Sequence, residues 1–280
     1  MKLQKIILLG IIILLAYTLG ACSKPNGVPT YITADQFIGT AEQYEGYKAM
    51  FFAPYEDFVS WGQTEHFKEH VENINSPTMQ QGYLEYLERM EAAKKNPKPV
   101  IPRKRPYTRE LQDQPILESD QTRNSRGMGF YPNLPGDILV TDEPLASGSG
   151  FAAGHAGIVQ DASYTIESFP LEKYGQPAGV QKHRNDWQTR YLGSNVYGVM
   201  PHPAFIDKNE DAAKWAYAQI GKPYNFNFAS FNTDEKFYCS QLVYRAYKNA
   251  AQLDLSNNAR LFVSPMDLVN SPKTNTVYKR

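Results

Sequence analysis

Cys239, His155 and Glu167 are the residues of this chain whose types and settings could do covalent chemistry together. Cys239 follows Phe237-Tyr238, and the spacing of Leu242, Val243, Ala246 and Tyr247 predicts a helix from the cysteine to about Ala250. His155 opens the apolar stretch HAGIVQ, and Glu167 lies in YTIESF. A thiol hydrolase needs such parts. Its nucleophile is the thiolate, so the cysteine pKa must fall from about 8.5. A helix N-terminus and a nearby imidazolium both favour that anion. A carboxylate can orient the imidazole through its second nitrogen. Backbone N–H groups at the helix start can hold the oxyanion of a tetrahedral intermediate.

These residues need a scaffold, and residues 131–280 supply its pattern. Short apolar stretches at Asp137–Thr141, His155–Gln160, Tyr164–Phe169, Val180–His183 and Val196–Met200 predict strands, separated by Gly, Pro and Asp. A helix is expected from about Lys208 to Gln219, ended by Gly221-Lys222-Pro223. Residues 22–130 form a tether and a mostly helical region. Thr33 or Asp35 could cap a helix reaching about Met50, Phe58 to Asn75 has helical spacing, and Met79 to Lys95 aligns Tyr83, Tyr86, Leu87 and Met90 on one stripe. Residues 96–106, NPKPVIPRKRP, predict a linker or surface crossing, and 107–130 are polar and irregular.

Plainer readings compete for several residues. His155 alone could be a core histidine, but Gly154, Ala156 and Gly157 around it leave room for an approaching group. Strand alternation also allows Glu167 to face water, with Asp161 and Glu172 as the next candidates to orient the histidine. His66 and His70 are one helical turn apart beside Glu65, yet EHFKEH lacks a third ligand, and a solvated helix face is the expectation. His183 and His202 show no evident partners in the sequence, and Asp137 is a strand-entry or turn residue. Nothing calls for a metal or another cofactor.

The N-terminus locates the protein. Lys2 and Lys5 precede an apolar run from Ile6 to Leu19, short for a bilayer span, which ends in Leu19-Gly20-Ala21-Cys22. This resembles the lipobox of bacterial lipoproteins. It implies removal of residues 1–21, lipid attachment at Cys22 and an extracytoplasmic protein held on a membrane. Two or three acyl chains, at roughly 0.8 kcal/mol per buried methylene, make a stable anchor. Cys22 and Cys239 are the two cysteines, so lipidation of the first leaves the second a lone thiol in an oxidising compartment. Lys plus Arg balances Asp plus Glu at 29 each, which gives no field for nucleic acid.

The phrases LPGDILVT, GHAGIV, IES, GKPYNFNF, FYCSQLVYRAY and VSPMDL, in that order over about residues 133–270, resemble the circularly permuted papain-fold family, the YiiX/YaeF-like relatives of the NlpC-type cell-wall hydrolases. The resemblance implies an α+β fold, with an antiparallel sheet or half-barrel packed on the cysteine-bearing helix. It implies Cys239 as nucleophile, His155 as general base and Glu167 as the residue that orients it. Tyr224 falls at a recurring aromatic position. Tyr224, Tyr238 and Ser240 are the expected substrate-binding residues. Gln241 departs from the pattern, standing where many relatives carry Glu. The implied activity is hydrolysis of a peptide or amide, by analogy one of the cell wall. Lipid acyl transfer through the same thioester, or a non-catalytic binding module, are the alternatives.

Overall fold

The structure is a computed structural model that describes residues 27–53, 55–102, 129–144, 153–173 and 175–280. The lipobox, Cys22, the basic end of the expected linker and most of the irregular stretch after it lie outside the described residues. Tyr31–Arg280 form one compact unit, and Met1–Thr30 form another, of which 27–30 are described. No helix among the described residues is long and apolar enough to cross a membrane.

The C-terminal half is built on one antiparallel sheet. Its strands are β1 (Ile138–Thr141), β2 (His155–Asp161), β3 (Tyr164–Phe169), β4 (Gly179–Arg184), β5 (Val196–Pro201) and β6 (Thr274–Lys279), in the spatial order β4-β3-β2-β1-β5-β6. Five strands fall where the sequence predicts them. The central strand β1 is buried at every position, which explains its near-continuous apolar reading. β6 was not expected from the sequence, because TNTVYK is short, mixed in polarity and paired by register with β5 far away in the chain.

Of the helices, α1 (Ala41–Phe51), α2 (Tyr55–Ser60), α3 (Thr64–Asn75) and α4 (Pro77–Lys95) precede the sheet. The expected start near Thr33 is only one 3-10 turn, Ala34–Gln36. A capping box begins α1, where Gln43 N–H donates to the Thr40 hydroxyl and the Gln43 side chain accepts from Thr40 N–H. The stretch expected as one helix from Phe58 to Asn75 breaks at Gly62, whose φ of +66° ends α2. Further on come α5 (Trp187–Arg190), α6 (Asn209–Tyr217), α7 (Cys239–Ala251) and α8 (Pro265–Asn270). α8 also escaped the sequence reading, although Ser264 and Asp267 cap it reciprocally and Pro265 opens it.

α7 is the element that matters most for the site. Leu242, Val243, Ala246 and Tyr247 are fully buried on it, each large side chain contributing about 1.5–3 kcal/mol by leaving water. Tyr247 also donates its hydroxyl proton to the Gly136 carbonyl, which ties the helix to the turn before β1. That turn is held by Asp137, whose carboxylate accepts from the N–H groups of Asn133 and Leu134.

The helical region packs directly on residues 225–274. Phe51 meets Phe228 and Phe262 with ring centroids 6.0 and 5.8 Å apart. Arg89 grips Asp267 through two hydrogen bonds of 2.8 and 3.0 Å. Lys98 donates to the carbonyls of Val269, Ser271 and Thr274.

His70 departs from its expected place on a solvated face. It is fully buried, its ring tilted against Phe58 at 5.2 Å, with Nε2 donating to the Phe51 carbonyl at 2.9 Å and Nδ1 without a partner. The reason is that Phe67, Val71 and Ile74 turn the same side of α3 into the core. His66, by contrast, lies half-buried with its ring stacked 5.3 Å from Phe226. Burial lowers the His70 pKa to about 4. The unfolded chain, at about 6.5, then binds the proton first, so stability is full above pH 6.5 and falls towards pH 4. Urea denaturation at pH 7 and pH 4.5 should show roughly 2–3 kcal/mol more acid loss in the wild type than in a His70→Gln variant. Equal acid losses in the two proteins would contradict the buried neutral imidazole.

Candidate active site

His155 and Glu167 come together because β2 and β3 pair in a particular register. Gly157 stands opposite Glu167, and His155 is the next residue on the same side of β2. Glu167 Oε2 and His155 Nε2 are 2.8 Å apart, and both side chains are fully buried. The sequence reading gave Gly157 the task of leaving room for an approaching group. Here the space is filled: a Cβ at Gly157 would lie 2.8 Å from Glu167 Cγ and 3.0 Å from the Trp187 ring. Glycine at 157 lets the carboxylate and the indole lie across the strand. Asp161 and Glu172 do not take the orienting place. Asp161 caps the β2–β3 turn by accepting from the N–H groups of Ser163 and Tyr164, and Glu172 is exposed.

Glu167 is held by more than the histidine. Arg190 Nη1 lies 3.0 and 2.8 Å from its two oxygens, Trp187 Nε1 donates at 3.0 Å, and the Thr165 hydroxyl donates at 2.5 Å. Burial pushes the carboxyl pKa up, but Arg190 and the bond to His155 outweigh it and hold the group well below the usual carboxylate range. An ionised carboxylate only accepts, so His155 Nε2 carries the proton and Nδ1 bears the lone pair. That Nδ1 is buried without a partner. The ring stacks on Trp187 at 5.4 Å and lies 4.5 Å from the Phe169 ring. Burial lowers the His155 pKa to about 4 despite the carboxylate, so the resting imidazole is neutral.

Cys239 opens α7, which packs on β2 and β3. Ser168, alternating with Glu167, donates to the Phe237 carbonyl at 2.6 Å and so fixes the segment that leads into α7. The Cys239 sulfur is hydrogen-bonded by the Ala156 N–H, which belongs to the peptide bond following His155. It also receives the Ser240 N–H at the helix start. The cysteine is fully buried and free of any disulfide. A thiol pKa lowered below 8.5 was expected from the helix terminus and the imidazole. The structure gives the opposite, because burial pushes the thiol up to about 11 and the N–H groups of Ala156 and Ser240 offset only part of this. The resting pair is therefore a neutral thiol and a neutral imidazole.

The expected substrate-binding residues divide. Tyr224 is buried, and burial first, with ionised Cys239 adding to it, raises its phenol pKa well above the ordinary value. Tyr238 and Ser240 are fully buried, and both bind the backbone of Val263: its N–H donates to the Tyr238 hydroxyl at 3.1 Å, and its carbonyl accepts from Ser240 at 2.8 Å. Their polar atoms hold α7 against the segment before α8, and the expectation that they meet substrate has no counterpart in that geometry. Gln241 explains itself. Its Oε1 accepts from Tyr238 N–H and the Asn225 amide, while its Nε2 faces the carbonyls of Ser230 and Thr233. A glutamate would have no hydrogen for those two carbonyls.

Sequence reasoning missed Arg190, Trp187 and Thr165. Thr165 was findable, being two residues from Glu167 on the same strand face. Arg190 and Trp187 sit on α5, a four-residue helix with no periodicity to read. The expectation that His183 lacks a partner is also corrected, as its Nε2 lies 2.8 Å from Gln181 Oε1. A cleft of about 450 Å³ elsewhere, lined by Arg89, Lys98, Asn257 and Arg260 among others, does not include Cys239 or His155. No group of three His, Cys, Asp or Glu side chains among the described residues could hold a metal ion.

A histidine–carboxylate sheet that precedes its cysteine helix in sequence reverses the papain order and defines the circularly permuted papain-like class. Residues 152–278 match the sequence profile described as "Permuted papain-like amidase enzyme, YaeF/YiiX, C92 family". The uncharacterized protein YycO of Bacillus subtilis (strain 168) is 31% identical over 145 residues, which are 51% of this chain. The chain spans about half the length of that relative, 54%. A solved structure titled "Crystal structure of metalloprotein yiiX from Escherichia coli O157:H7, DUF1105" is 19% identical, covering 52% of this chain and 97% of its own, with a TM-score of 0.39.

Arg190 carries the stability of the site. Arg190→Gln leaves the Glu167 carboxylate buried without its cation and should cost about 3–5 kcal/mol in urea denaturation at pH 7. Arg190→Lys should recover only part, since one ammonium cannot serve Glu167, Asp186 and the Arg184 carbonyl together. A loss below about 1 kcal/mol for Arg190→Gln would show that the carboxylate is held by other means.

Proposed function

We propose that this protein is a thiol amidase or peptidase in which Cys239 is the nucleophile, His155 the general base and acid, and Glu167 the residue that orients the imidazole. The observation that carries the reading is the state of His155: Nε2 fixed on Glu167, Nδ1 open, and the next peptide N–H on the Cys239 sulfur. The match of residues 152–278 to a permuted papain-like amidase family supports the reaction class.

Because the resting thiol is protonated, its proton moves to His155 Nδ1 as the sulfur attacks the carbonyl carbon. The S–C bond forms, and the oxyanion meets the N–H groups at the start of α7. Nδ1 then gives the proton to the leaving nitrogen, and the C–N bond breaks. Water attacks the thioester, with its proton taken by Nδ1. The S–C bond breaks and the thiol recovers the proton. Glu167 remains ionised throughout, with Arg190 as its counterion.

The substrate we propose is a peptide or related amide of the cell wall, reached from a membrane anchor on Cys22. The anchor rests on Leu19-Gly20-Ala21-Cys22 and its apolar leader. The mass of the mature N-terminus from cells checks it: an acylated Cys22 is expected, and a chain retaining residues before Cys22 overturns it.

Products formed from purified peptidoglycan fragments and from phospholipids, read by mass spectrometry, test the reaction. Peptide or amide cleavage that falls at least about a hundredfold in Cys239→Ser and His155→Ala is expected. Consumption of phospholipid alone would replace the reading with lipid acyl transfer, and no consumption of either would favour a binding module. Alkylation of Cys239 by iodoacetamide should rise continuously from pH 6 towards the thiol pKa of about 11. A plateau across pH 5–8 would mean a preformed thiolate–imidazolium pair instead.

A further inference from the structure

Lys173 is a cation beside this site that the proposed chemistry does not use. It lies just past β3, in a tight turn where its N–H and carbonyl both bond Gln176, at 3.1 and 3.0 Å, around Gly175 at φ +75°. The Gln181 amide braces the turn by donating to the carbonyls of Leu171 and Pro177. Lys173 Nζ sits 4.0 Å from the centroid of the Phe169 ring, whose own centroid is 4.5 Å from that of His155. The ammonium is thus no further from the imidazole than those two short distances laid end to end.

The neighbouring cations are engaged. Arg190 is held by Glu167 and Asp186, and Lys182 lies 4.0 Å over the Tyr164 ring at the far end of β3. Lys173 makes no ion pair among the described residues, yet it is half-buried. Burial lowers its pKa and Arg190 lowers it further, while Glu167 raises it. A half-buried ammonium that rests on an aromatic face and makes no ion pair among the described residues is stabilised when an anion comes within reach. Lysine presents a compact point charge, suited to a single carboxylate.

We infer that Lys173 is a specificity residue and that the preferred substrate carries a carboxylate close to the carbonyl that Cys239 attacks. This rests on the reading of Cys239 as the nucleophile. It narrows the substrate class to acidic amides, such as peptides with a free carboxylate near the scissile bond.

Two thiol reagents that differ in one charge test the inference on the full chain. The thiolate attacks the CH2 carbon of iodoacetate or iodoacetamide, forming an S–C bond as the C–I bond breaks and iodide leaves to solvent, but only the first reagent carries a carboxylate next to the attacked carbon. The readout is the ratio of their rate constants at Cys239, with the label located by peptide mapping and a free cysteine peptide measured alongside. The wild-type ratio should exceed that of the peptide. Lys173→Gln should lower it about three- to tenfold, as expected for a unit charge several ångströms away at an effective dielectric near 20 to 80. Lys173→Arg should retain most of it. The neutral reagent reports any general loss of cysteine reactivity, so a damaged fold does not imitate the effect. An unchanged ratio in Lys173→Gln, with both reagents labelling Cys239, overturns this inference alone. Failure of both reagents to label Cys239 overturns the nucleophile and the inference with it.

Discussion

The buried carboxylate of Glu167 is the constraint on which the site depends. A fully buried charge with no partner would cost many kcal/mol, and a group so placed would take up a proton instead. Arg190 prevents this by approaching both oxygens, while Thr165 and Trp187 donate to Oε1. With Glu167 kept ionised, the tautomer of His155 follows, since only Nε2–H can meet a carboxylate. Gly157 is part of the same constraint, because any side chain there would push Glu167 and Trp187 away from the strand.

Burial also sets how the chemistry begins. The environment that strengthens the Glu167–Arg190 pair disfavours charge on Cys239 and His155, raising one pKa and lowering the other. At neutral pH this leaves Cys239 a thiol and His155 a neutral imidazole, the state from which the proposed reaction starts. The helix start contributes N–H groups to the sulfur, and these serve equally for an oxyanion that forms nearby. The N-terminal helices add rigidity. Asn73 donates to Asn227 at 2.8 Å and accepts from Phe228 N–H, so α3 braces the chain that carries Tyr224 and leads on to α7.

Much of this was legible in the sequence where a periodicity or a short motif carried it. The strands around His155 and Glu167, and the helix opening at Cys239, show the spacing of buried elements. β6 and α8 were invisible because their stability comes from distant partners, β5 for one and Arg89 on Asp267 for the other. Arg190 was missed for the same reason, as it lies 23 positions from the carboxylate it holds on a helix too short to announce itself. The solvated reading of His70 failed because helical spacing tells which residues share a face and not whether a second aromatic layer covers it. Tyr238 and Ser240 stand beside Cys239 in the sequence, yet consecutive residues at a helix start point in different directions, and theirs is towards Val263.

The imidazole of His155 offers the most direct test. Nitrogen NMR of the histidine side chains at neutral pH, with His155 assigned by substitution, reports which ring nitrogen carries hydrogen and whether the ring is charged. A neutral ring protonated at Nε2, with Nδ1 bare and unchanged down to about pH 5, is the expected result. An imidazolium at neutral pH, or a hydrogen on Nδ1, would contradict the arrangement in which Glu167 and Arg190 hold the base ready for Cys239.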